Sequence, residues 1–452
     1  MIADRFTLPV PGSPSPVRFP AITRETTASG LDVWVIPQTA VPLFSSVLVF
    51  GHGTADDPVE RPGLASLTAD LLDEGAGSRD AIELADALAQ LGSQLSAEAS
   101  ADETTITLTA LSHQLAPSFD LLADLVRRPH FTQEGLERTR DLRMSRLRQL
   151  SRTAATVADR AFVSRVFEDH PYGHGSLGTS ASLAATVIEE VTGFWDAHAG
   201  PGAATLVVAG DVDVRSVMRE AARVFDGWGG TASRRSLVMR PPAASQGIVY
   251  LADRPGAQQS ELRVGHPSPS RRSAAFHALV TLNALLGGQF VSRINRNLRE
   301  ERAITYGART TFDMRRIAGA FSCDTSVQAD STALAVSEIL RECAGVRLPG
   351  AIAKSELEQS QASLTRGYVR NFETASQLAR AAVQIVSFEL PDDVFDRFVP
   401  EIERLTVDEV AEVASADLHP DTATIVVVGD AARCRPALEE LGREIREIAP
   451  EF

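Results

Sequence analysis

The sequence predicts an α+β protein of two homologous α/β-sandwich domains, each a mainly antiparallel sheet covered by helices. The clearest observation is a repeat: Ala204-Thr-Leu-Val-Val-Ala-Gly-Asp-Val-Asp213 returns as Ala423-Thr-Ile-Val-Val-Val-Gly-Asp-Ala431. Both are β-branched apolar runs ending in Gly-Asp, and they read as equivalent strands. A second pair, Gly30-Leu-Asp-Val-Trp-Val-Ile-Pro37 and Gly247-Ile-Val-Tyr-Leu-Ala-Asp-Arg-Pro255, recurs at nearly the same offset of about 217 to 219 residues, a spacing suited to one domain each. The length agrees, since 452 residues with 44% hydrophobic content exceed what one core organises.

Taken in chain order, the opening Met1-Ile-Ala-Asp-Arg-Phe-Thr-Leu-Pro-Val-Pro11 has no apolar h-region, and no run of 18 apolar residues follows. The expectation is a chain without a membrane span or retained signal peptide, with cytoplasm and periplasm both open. Asp80 to Leu91 reads as a helix in which Ile82, Ala85, Leu88 and Leu91 share a face, with Ser78 near its start and Gly92 at its stop. Thr104 to Leu111 alternates Thr with apolar residues, as a half-exposed antiparallel strand does. Phe131 to Leu150 reads as a helix made basic by Arg138, Arg140, Arg143, Arg146 and Arg148, expected to be a solvated or partner-docking face. Gly227 to Gly247 is rich in Gly, Pro, Ser and Arg, which divides the chain into a domain at 1–232, a linker at 233–247 and a domain at 248–452.

The net charge of -15 argues against nucleic acid as partner, because phosphate binding needs clustered Lys and Arg; an acidic inner surface favours basic peptides instead. Cys323, Cys343 and Cys434 are odd in number and far apart, so they read as buried thiols and not as a disulfide framework. The chain lacks a nucleophile elbow, a phosphate loop and a dinucleotide fingerprint in a strand-to-helix setting.

The stretch Leu286-Gly-Gly-Gln-Phe-Val-Ser-Arg-Ile-Asn-Arg-Asn-Leu-Arg-Glu-Glu-Arg-Ala-Ile-Thr-Tyr-Gly307 resembles the second-half signature of the insulinase/pitrilysin family of zinc peptidases. The resemblance implies two halves arranged as a half-clamshell. It also implies that Arg299 and Tyr306 position substrate, that Gly287 and Gly288 form the substrate-binding turn before them, and that His170-Pro-Tyr-Gly-His174 is a structural loop. The residue types suit these roles: a phenol donates to a developing oxyanion, and a guanidinium fork grips peptide carbonyls. The seven-residue spacing places Arg299 near a helix end and Tyr306 on the strand beyond it.

Active members of that family carry a helical H-x-x-E-H motif, two zinc ligands and a general base on one helical face. The matching context here, Arg61-Pro-Gly-Leu-Ala-Ser-Leu-Thr-Ala-Asp70, has Ser66 and Asp70 at the ligand positions and Ala69 at the base. The third ligand would fall about where Ser145 and Arg146 stand, and Asp70, Asp73 and Glu74 read as a solvated acidic face. The resemblance therefore implies a subunit with no metal or cofactor of its own. It would close the peptide chamber for a homologous partner chain that carries H-x-x-E-H and zinc, around an extended peptide substrate. The alternative is a scaffold homologue with no part in proteolysis, like the core subunits of respiratory complexes.

Overall fold

The computed structural model describes residues 16–230, 232 and 240–449; the first part of the expected linker, residues 233–239, lies outside the described residues, as does the opening Met1 to Pro11 segment. The strands are β1 (Thr23–Thr26), β2 (Asp32–Pro37), β3 (Leu43–Phe50), a short pair β4 (Gly75–Ala76) and β5 (Arg79–Asp80), β6 (Gln94–Ala99), β7 (Thr104–Leu111), β8 (Ala204–Gly210), β9 (Val249–Asp253), β10 (Gln259–Ser268), β11 (Thr305–Met314), β12 (Gly319–Gln328), β13 (Thr424–Gly429) and β14 (Ile445–Glu447). They form two six-stranded sheets, ordered β1-β2-β8-β3-β7-β6 and β11-β12-β10-β13-β9-β14. Pairing is antiparallel except for β2 with β8 in the first sheet and for β9 with β13 and β14 in the second. The two repeated segments are thus neighbours in each sheet, with Val33 opposite Leu206 in one and Leu251 opposite Val427 in the other.

Those central strands are apolar along their whole length because both of their faces are buried. Leu206 and Val208 face the core formed with the helices Leu115–Arg127 and Val214–Phe225, and Ile425 and Val427 face the corresponding core of the second half. The intervening residues point the other way, onto a helix from the opposite half. Val207 and Ala209, with Ile36, Val47 and Val49, pack on Leu378, Ala379, Ala382 and Val383 of the helix Ala375–Phe388. Val426 and Val428, with Tyr250 and Ala252, pack on Val157, Ala158, Ala161 and Phe162 of the helix Ala154–Phe167. Strands up to Gly210 build the first sheet and strands from Val249 the second, and each half lends a helix to the other's sheet.

Polar contacts reinforce this exchange. Arg263 of β10, 6% exposed, donates from Nε to Asp159 Oδ1 at 2.6 Å. Asp102 accepts from the Tyr172 hydroxyl and, at 2.9 Å, from the Arg316 backbone N–H. Tyr172 lies in the His170–His174 loop and is fully buried, so that loop is a structural staple between the halves, as the sequence implied.

β7 alternates as expected, with Ile106, Leu108 and Ala110 buried, and the three cysteines are buried and free. The helix Ala81–Gln90 differs in its face: Leu84 is buried while Ile82 is 73% exposed. Its cap is Asp80, which accepts from the Glu83 N–H at 2.9 Å, so the helix starts after Ser78 and its phase follows the capping box. Among the described residues no helix is long and apolar enough to cross a membrane.

Leu378→Ala, at a fully buried contact of the exchanged helix, is expected to lower stability by about 2–5 kcal/mol. Urea unfolding followed by far-ultraviolet circular dichroism, which reads both halves, checks it. A single transition is expected because the sheets share helices, and two separated transitions would show independent halves.

Candidate functional site

The motif helix Leu64–Asp70 begins at Gly63, whose φ of 92° only glycine adopts readily. Its first N–H groups are capped by the buried Asp57 carboxylate, which accepts from Gly63 at 2.6 Å and Ala65 at 2.7 Å. Burial outweighs these bonds and the nearby Arg143 charge and pushes the Asp57 carboxyl up to about 7. His174 Nδ1 lies 3.9 Å from the same carboxylate, and burial holds that imidazole below its ordinary range.

Ser66 and Asp70 lie one turn apart on this helix and face the long helix Gln133–Leu150. From there Arg143, 4% exposed, sends its guanidinium between them. Nε donates to Asp70 Oδ2 at 2.7 Å, Nη2 to Ser66 Oγ at 2.8 Å, and Nη1 lies 3.4 Å from the Gly63 carbonyl. A fixed cation therefore occupies the space between the two motif positions. The expected location of the third position is corrected: Ser145 and Arg146 are exposed, and Arg143, one turn earlier, makes the contact.

The expected solvated faces hold in part: Asp70, Asp73, Arg138, Arg146 and Arg148 are exposed, whereas Arg143 is buried and Glu74 and Arg140 are half-buried. The Glu74 carboxylate accepts from Arg138, with 11% of its side chain exposed, and Arg140 Nη2 donates to the Thr186 carbonyl at 2.6 Å. Burial, reinforced by Asp70, raises the Asp73 carboxyl. The acidic segment and the basic helix are tied to each other by the Arg138–Glu74 and Arg143–Asp70 pairs. Beside them a cavity of about 480 Å³ opens between β6, an edge strand, and the 133–150 helix, lined in part by Leu95, Ala97, Leu142 and Arg146.

This donor set does not fit a divalent metal. Ala69 offers no donor, Asp70 is committed to Arg143, and the guanidinium repels a cation. Among the described residues no group of three or more His, Cys, Asp or Glu converges as ligands.

Arg299 and Tyr306 lie in the second half. The segment Arg296–Glu301 is a π-helical turn, shown by the Arg302 N–H bonding the Asn297 carbonyl five residues back at 3.0 Å; such turns often mark functional positions. It carries Arg299, whose Nη2 reaches Glu300 Oε1 at 2.7 Å and whose Cζ sits 3.2 Å from the Phe290 ring centroid. Ala303, at φ 54°, turns the chain into β11. There Tyr306 stands 92% exposed at an irregularity in the pairing with β12.

Two residues missed from sequence hold this turn. Asn295 Nδ2 donates to the Gln289 carbonyl at 2.9 Å and the Ala308 carbonyl at 2.6 Å, while its Oδ1 accepts from the Ala308 N–H at 2.9 Å. Asn297 Nδ2 donates to Glu338 at 2.7 Å and Glu342 at 2.8 Å. Their signal was two amides set between the apolar Ile294 and Leu298. Gly287 and Gly288 pack closely: an added Cβ would come within 2.5 Å of Thr310 and 2.7 Å of the Asn283 amide, so close approach to protein accounts for both glycines.

Replacing the motif as Ser66→His/Ala69→Glu/Asp70→His is expected to leave zinc affinity weak while Arg143 stays, and to gain it when Arg143→Glu is added. Calorimetric titration of zinc into both variants checks this, and stoichiometric binding by the first would show that Arg143 does not block the site. The Asp57 carboxyl, raised from 3.8 to about 7 by folding, contributes stability that is complete below pH 4 and lost as pH rises to about 7. Relative to Asp57→Asn, the native chain should lose at most about 1.4 kcal/mol per pH unit across that window. Melting temperatures from pH 4 to 8 measure the difference.

Comparisons with known proteins agree with this architecture. Residues 35–180 match the family described as Insulinase (Peptidase family M16), and residues 186–364 match Peptidase M16 inactive domain. A Mycobacterium leprae protein named uncharacterized zinc protease ML0855 is 25% identical over 410 residues, spanning 88% of this chain and 89% of its own length. The Helicobacter pylori non-peptidase homolog YmxG is 20% identical over 391 residues, spanning 85% and 88%. A Pseudomonas fluorescens crystal structure, described as a peptidase M16 inactive domain, superposes with a TM-score of 0.84 at 22% identity, covering 90% of this chain and 98% of the other. A chain of Complex III2 from Candida albicans superposes with a TM-score of 0.77 at 12% identity, covering 93% and 100%. At those identities the two structures show the shared fold. With both halves matched over more than half of its length, the chain belongs to peptidase family M16.

Proposed function

We propose that this chain is the non-catalytic subunit of a heteromeric zinc metallopeptidase, closing a peptide chamber whose zinc-bearing H-x-x-E-H helix comes from a homologous partner. The observation that carries the reading is the contrast between the two sites. The motif helix is closed by the Arg143–Asp70 pair, whereas the Tyr306 phenol, on another sheet, is 92% exposed. A tyrosine held only for packing would bury its ring.

In this reading Tyr306 donates its hydroxyl to the oxyanion that forms on the scissile carbonyl, and Arg299 grips a neighbouring peptide carbonyl with its remaining N–H groups. The peptide lies extended, since an edge strand offers main-chain hydrogen bonds with loose side-chain preference. β11 and β6 are both sheet edges.

The scaffold reading has one observation in its favour, the likeness to a chain of Complex III2. Native mass spectrometry with metal analysis on the chain recovered from its own cells separates the two. Recovery with a similar-sized H-x-x-E-H chain and one zinc per pair supports the subunit reading; recovery alone or in a larger metal-free assembly supports the scaffold.

In the recovered complex, Tyr306→Phe is expected to slow peptide cleavage at least about tenfold, in keeping with the loss of one oxyanion donor, and to leave assembly intact. An unchanged rate removes Tyr306 from the mechanism.

A further inference from the structure

Phe290 is 70% exposed, and one face of its ring is occupied. It follows the close-packed Gly287-Gly288 turn, and the Arg299 guanidinium lies over it, 3.2 Å from Cζ to ring centroid. The turn that carries the ring is anchored from the Arg299 side: the Gln289 carbonyl accepts from Asn295 Nδ2 at 2.9 Å and from Ser292 Oγ at 2.6 Å. Glu300 holds one edge of the same guanidinium at 2.7 Å.

We infer that Phe290 is the positioning residue for Arg299: it fixes the plane in which the guanidinium is presented to a peptide carbonyl. The inference rests on the subunit reading above. Arginine has many side-chain rotamers, and losing that freedom before substrate arrives lowers the cost of gripping it. A stacked face leaves the in-plane N–H donors available, with Glu300 taking one edge and 17% of the side chain exposed. Phe290 touches no reacting atom and acts through Arg299.

The test is a double-mutant cycle on the copurified complex, read with a quenched fluorogenic peptide. Phe290→Ala is expected to lower kcat/KM about three- to fivefold, with the melting temperature unchanged, and Phe290→Tyr to restore it. In an Arg299→Ala background, Phe290→Ala should add no further loss. If Phe290→Ala costs nothing, or costs the same with and without Arg299, the inference is overturned while the subunit reading stands. If Arg299→Ala itself has no effect, the arginine's role in the subunit reading fails first, and the positioning role fails with it.

Discussion

The architecture depends on burying both faces of two central parallel strand pairs. β8 and β13 have no polar face to turn to water, so each needs a second apolar layer. The chain supplies it by exchanging helices, Ala154–Phe167 to the second sheet and Ala375–Phe388 to the first. A half alone would leave Val207 and Ala209, or Val426 and Val428, uncovered. The two sheets are therefore tied together by the helices they exchange.

The same economy of burial explains the motif helix. A helix whose face carries Ser66 and Asp70 and lies against another helix must satisfy a buried hydroxyl and the carboxylate one turn on. Arg143 answers both with one planar group, and its charge is compensated by Asp70. An arginine suits this geometry better than lysine because its donors diverge in a plane. In the opposite half Asn295 and Asn297 take up the backbone and carboxylate partners of the turn, which leaves the Tyr306 ring outward and the Arg299 side chain 17% exposed.

Much of the fold was legible in the sequence, and for identifiable reasons. The repeats Gly30–Pro37/Gly247–Pro255 and Ala204–Asp213/Ala423–Ala431 became adjacent strands, because strand identity is written in local β-branched runs. The Thr104–Leu111 alternation became the buried and half-buried faces of β7. The helix beginning at Ala81 was legible but its buried face was not. The Asp80 capping box sets where the helix starts, and tertiary packing chose Leu84 over Ile82.

The sequence by itself determined the two-sheet plan, the family, and the presence of Ser66, Ala69 and Asp70 where ligands and base would be needed, since each is a matter of residue type and short-range spacing. Only the tertiary structure decided that Arg143, not Arg146, sits between Ser66 and Asp70, that the acidic segment and basic helix are tied to each other by ion pairs, and that helices cross between halves. Those are contacts between elements tens to hundreds of residues apart. Their choice turns on helix rotation and side-chain reach, which only packing fixes.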